Sequence, residues 1–187
     1  MNLLLRKRML LSFLLSGMLL LSGTLGQAQT LSSEDIRGQF IKDWERAKAY
    51  TVDYLNAMPA DKYSFKAVDS IRSFAQQMLH LSMANVNLMS VATGQERIFG
   101  NRNLEMSAGA QTKDSVMYFV TTSYDYAMKS LKSLDVSKWG EKTGRGNLQE
   151  TRFAWILKAF EHQTHHRGQA TIYIRLLGIR PPNERLF

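Results

Sequence analysis

From Ser32 onward, apolar residues return every three or four positions in four separate stretches, the spacing that lays them along one face of a helix. The first stretch carries Ile36, Phe40, Trp44, Ala47, Tyr54 and Leu55. Ser32 and Ser33 supply hydroxyls that can cap its free amide groups, and Met58-Pro59 ends it, because proline disfavours helical geometry in the residue before it. The second opens around Ser70 to Ser73 and runs to about Ala92, with Phe74, Met78, His80, Leu81, Ala84 and Leu88 on a broad buried face and Gly94 as terminator. The third runs from about Lys113 to Leu134 along Val116, Val120, Tyr124, Ala127 and Leu131. The fourth begins near Leu148 to Thr151 and continues to Leu177, where Gly178 and then Pro181-Pro182 form a stop. Between the second and third lies a long crossover, Thr93 to Gln111. Gly140, Gly144, Gly146 and Asn147 read as a flexible connection before the fourth. No strand-like alternation competes, so the expectation is an all-α four-helix bundle with room for a site between facing helices.

The chain begins differently. Arg6, Lys7 and Arg8 precede an apolar run from Met9 to Leu21, and Gly26 and Ala28 stand at the −3 and −1 positions of a cleavage site. That is the layout of a secretory signal peptide. A membrane anchor is the other reading, but the apolar run falls short of the ~20 residues a spanning helix needs. The expectation is a signal peptide at residues 1–28 and one domain at 29–187, exported to the periplasm or secreted, with no stable membrane span after cleavage. Removing three basic residues lowers the formal charge from +8 to +5. The remaining basic residues are scattered and lack the clustering of a nucleic-acid footprint. The absence of cysteine excludes disulfides, thiolate ligands and a cysteine nucleophile.

Candidate chemistry lies in the histidines. His162 and His166 are four apart, on one helix face and displaced by ~6 Å along the axis. Two imidazoles so placed can ligate one ion or can simply face solvent. His165 lies about 100° around the helix from His166. His80 falls inside the apolar face of the second helix, where it is either a core group satisfied by a neighbour or a third ligand. If the second and fourth helices pack together, His80, His162 and His166 form a three-imidazole set with an open position. That is a pattern for catalytic zinc that also suits nickel, iron or manganese.

The run from Glu161 to Gln169, EHQTHHRGQ, followed by Arg175-Leu176-Leu177-Gly178 and Pro181-Pro182, resembles the closing motif of DinB-like proteins. The segment from Pro59 to Phe65, and then Arg72 to His80, resembles that family's entry into its second helix. The resemblance covers about Ile36 to Pro182. It implies an up-down-down-up bundle, often dimeric, with His80, His162 and His166 as ligands of a divalent metal. It also implies a metal-dependent enzyme, a hydrolase or a thiol transferase acting on a small-molecule substrate, although many members have no known reaction.

Around the ligands, Arg167 reads either as a buried partner for a first-helix acid such as Asp43 or Glu45, or as a surface cation. Gly168 reads as a close-packing position, Gln169 as a residue that orients a ligand or packs, and His165 as exposed. No acid within the motif serves as a base, since Glu161 points about 100° away from His162. Two functions therefore stand: a metal enzyme, with hydrolysis of a small amide or ester favoured because export removes intracellular thiols, and a non-catalytic bundle holding a metal or small ligand. Nucleic-acid binding is not expected.

Overall fold

The computed structural model describes residues 30–187, so the expected signal peptide lies outside the described residues. Four long helices dominate: α1 (Ser33–Ala57), α2 (Phe74–Thr93), α3 (Lys113–Ser133) and α4 (Arg152–Leu176). Their starts are written locally. Ser32 and Asp35 form a reciprocal capping box at α1, and Ser73 and Gln76 form another at α2. Thr112 and Thr151 cap α3 and α4. Gly94 closes α2 with a φ of 76°, a left-handed turn that a side chain would strain. Among the described residues no helix is long and apolar enough to cross a membrane.

Side-chain pairs give the directions. Lys48 meets Asp125 and Lys113 reaches the Met58 carbonyl, so α1 and α3 are antiparallel. Gln77 meets His166 near one end of α2 while Arg152 bonds the Ala92 carbonyl near the other, so α2 and α4 are antiparallel as well. Tyr54 meets Thr171, and Phe40 packs on Phe153, making α1 and α4 parallel. α2 and α3 are parallel, with Asn85 on Ser123. The order is thus up-down-down-up, and the parallel α2–α3 pair explains the long crossover between them. At the centre Trp44 is fully buried, edge-on to Tyr124 and Phe160 at 5.5 Å. Such aromatic contacts add ~0.5–1.5 kcal/mol each beyond burial.

One element differs from the expectation. Residues read as a flexible connection and the start of the fourth helix form an antiparallel hairpin, β1 (Lys142–Arg145) with β2 (Leu148–Thr151), and α4 starts only at Arg152. Gly146, at φ 61°, supplies the positive φ of a two-residue hairpin turn. At Gly144 an added Cβ would lie 1.9 Å from the Leu148 carbonyl oxygen, so the strands approach as closely as only glycine allows. The hairpin is fastened to the bundle by Trp155 Nε1 donating to the Thr143 carbonyl and by Thr143 Oγ1 donating to the Val91 carbonyl.

Candidate metal centre

Antiparallel packing of α2 on α4 brings His80 beside His162 and His166. Ring centroids are 5.2 Å apart for His80–His162, 4.6 Å for His80–His166 and 4.3 Å for His162–His166. One nitrogen from each ring lies within 4.8 Å of the other two, so the three histidines could hold a metal ion. The Nε2 atoms of His162 and His166 are 3.1 Å apart. Two ligands on one ion at tetrahedral angles with ~2.05 Å bonds stand about 3.3 Å apart, so this pair is already near the required spacing. Burial pushes the His162 imidazole down to about 4 and His166 to about 3, helped by the charges of neighbouring histidines and Arg72. Both rings are therefore neutral at pH 7, with lone pairs available for ligation.

Two groups outside the histidine motif hold these rings. Glu105 comes from a short 3-10 turn, Leu104–Met106, in the crossover. Its Oε1 lies 2.7 Å from His80 Nδ1, and its Oε2 accepts from Arg72 Nε at 2.6 Å. Gln76 and Gln111 donate to the Glu105 carbonyl, fixing the turn against α2. Gln77, buried on α2, bonds His166 Nδ1 at 2.7 Å and also touches Gln169, which in turn bonds His165 Nε2. With a carboxylate at its Nδ1, His80 has its Nε2 left for the centre, the arrangement in which an outer partner orients a metal ligand, whereas Gln77 faces His166 Nδ1 with its amide nitrogen.

Sequence reasoning named the three histidines and missed Glu105 and Gln77. Gln77 lay three residues before His80, a helical neighbour of the ligand, and that was a usable signal. Glu105 lies in a stretch with no periodicity. His165 is exposed, as expected, and Gln169 touches the orienting network. Arg167 is buried, yet its partner is no acid: Nη1 donates to Gln163 Oε1 at 2.7 Å, and the guanidinium lies 4.9 Å from the Tyr50 ring centre. Asp43 pairs instead with Arg46. Gly168 faces open space, so close packing does not explain it.

Two cavities border the histidines. His162 lines a groove of about 810 Å³ whose walls include Leu88, Leu148, Ala154 and Trp155. His80 and Glu105 line another, of about 410 Å³, between α2, the crossover and the hairpin.

A four-helix bundle with three imidazoles converging between two antiparallel helices defines the class. The DinB family model matches residues 28–185, and the chain belongs to that family. Solved structures share the fold. A DinB-like protein from Bacillus cereus is 14% identical, with a TM-score of 0.66, covering 78% of this chain and 95% of that one. A DinB-like protein from Bacillus subtilis is 17% identical, with a TM-score of 0.61, covering 80% and 96%. No curated protein matches the chain.

Proposed function

We propose that this is an exported protein in which His80, His162 and His166 hold one divalent ion, zinc or nickel first, with iron or manganese compatible, and that the centre hydrolyses a small amide or ester. The observation that carries the reading is the convergence of three imidazoles from two helices at near-ligand spacing, two of them held neutral by burial. A bound ion there supplies Lewis acidity, polarising a carbonyl and favouring deprotonation of water.

The protein's own groups do the rest. Glu105 accepts the His80 Nδ1 proton, so the Nε2 lone pair faces the centre. Gln77 does the same for His166 when its amide oxygen is turned toward Nδ1. The groove beside Leu88, Ala154 and Trp155 offers an apolar wall for the body of a substrate next to His162. Binding without turnover is the second reading. It is favoured by one observation: the carboxylate nearest the centre, Glu105, already gives both oxygens, to His80 and Arg72, and is not free as a base.

The discriminating experiment loads the purified protein with zinc or nickel and assays a panel of small amides and esters against His162→Ala. Hydrolysis in the parent, falling at least a hundredfold in the variant, is expected. Metal-loaded parent with no turnover on any member favours the binding reading. Export is tested separately by mass spectrometry of periplasmic and extracellular fractions. A chain beginning near Gln29 is expected, and an intact Met1–Phe187 chain confined to the cytoplasm would remove the claim.

A further inference from the structure

The cavity that His80 and Glu105 line is walled on its other sides by three arginines from two parts of the fold. Arg97 and Arg102 come from the crossover and Arg145 from the end of β1. Arg37, Arg46, Arg72, Arg152 and Arg185 each pair with an acid. Among the described residues Arg97, Arg102 and Arg145 do not. Arg97 is half-buried and positioned by neutral groups: it donates to Asn87 Oδ1 at 3.4 Å and to Asn101 Oδ1. Arg102 gives only its Nε, to the Phe99 carbonyl at 3.4 Å, leaving the forked end of its guanidinium uncommitted. The acid lining the cavity, Glu105, is engaged by Arg72 and His80. Three cations without acidic partners around a space of about 410 Å³ repel one another, and an anion entering between them relieves that repulsion.

We propose that this cleft binds the anionic group of a small molecule, a carboxylate or a phosphate, whose planar or tetrahedral oxygens suit the guanidinium fork. Because His80 lines the same space, an anion seated there belongs to a molecule whose other end reaches the histidine cluster. The substrate class is then a small acid carrying a hydrolysable amide or ester. That last step rests on the metal-centre reading above, whereas the anion site itself does not. The hairpin acquires a role by the same placement: Arg145 closes the cleft at one end of its turn, while Leu148, its cross-strand partner, lines the apolar groove.

The test titrates chelator-treated protein with inorganic phosphate and, separately, with acetate at constant ionic strength. It follows the arginine Nε–H signals by nuclear magnetic resonance. The comparison variant is Arg102→Gln combined with Arg145→Gln, both exposed positions, with its fold checked by circular dichroism. Saturable binding in the parent, at least tenfold weaker in the double variant, is expected, with shifts concentrated on these arginines. The anion that binds more tightly identifies the group. No saturable binding of either anion, or equal binding in parent and variant, overturns the cleft. Metal uptake is assayed on the same preparations. Metal bound with no anion site leaves the metal centre standing and rejects only this proposal, and anion binding without metal uptake supports the cleft and rejects the metal centre.

Discussion

His80→Ala, His162→Ala and His166→Ala are each expected to lose the bound metal, while His165→Ala retains it. Each of the first three leaves two protein ligands, fewer than the three that hold a catalytic ion with one open position. The losses should differ in degree. His162 and His166 stand 3.1 Å apart through their Nε2 atoms and define the pair, whereas His80 arrives from the facing helix with its ring braced by Glu105. His165 projects to solvent, with its Nε2 on the outer end of Gln169 and its ring edge-on to His166 at 4.9 Å, turned away from the centre. Metal stoichiometry after dialysis against a weak chelator reads the result directly. Equal metal in His80→Ala and the parent would reject the three-histidine site, and loss confined to His165→Ala would mean that the wrong face of α4 had been chosen.

The largest expected effect on folding lies one residue from His162. Gln163 is fully buried and accepts from Tyr124 Oη at 2.8 Å and from Arg167 Nη1 at 2.7 Å, while its own amide nitrogen donates to the Phe160 carbonyl. Gln163→Leu keeps the bulk but removes the acceptor of a buried guanidinium. Tyr124 retains Thr51 at 2.7 Å, so the cost falls mainly on Arg167. Leaving such a charge without its acceptor costs about 3 kcal/mol, a fall in Tm of roughly 6–12 °C for a domain of this size. Adding Arg167→Met should recover much of the loss, because the orphaned charge goes with it. Thermal and urea unfolding of the single and double variants measure both. A single variant within about 0.5 kcal/mol of the parent, the usual range for a surface substitution, would show that Gln163 does not carry the guanidinium.

The helices were legible because their apolar periods are long and their ends carry conventional chemistry, such as Ser73 before α2 and Gly178 after α4. The histidine pair was legible for the same reason, since four-residue spacing converts directly into a shared face. The hairpin was not. Its strands, Lys142–Arg145 and Leu148–Thr151, are four residues each, largely polar and exposed, so no buried face imposes a two-residue period. Glu105 escaped because its position depends on how the crossover folds back over α2, through Gln76 and Gln111 holding its carbonyl, and nothing in sequence spacing records that contact. Arg167, which the sequence leaves between a buried partner of a first-helix acid and a surface cation, is buried with a partner that neither reading names. A cation is expected to seek an acid, whereas here an amide oxygen one turn away and the Tyr50 ring suffice.

His162 and Gln163 are neighbours on α4, and so are His166 and Arg167, each pair separated by about 100° around the axis. One edge of the helix is therefore keyed into the dry interior while the adjacent edge presents the imidazoles. Rotating α4 by a few degrees to suit a larger ion would drag Gln163 off Tyr124 and Arg167 off Tyr50. The interior thus indexes the helix, and the donor gap is inherited from it instead of being negotiated with the ion. If the three histidines hold an ion, such a centre would behave as a gauge more than a grip, favouring ions whose bond lengths match a preset opening over those that need longer bonds to many oxygens.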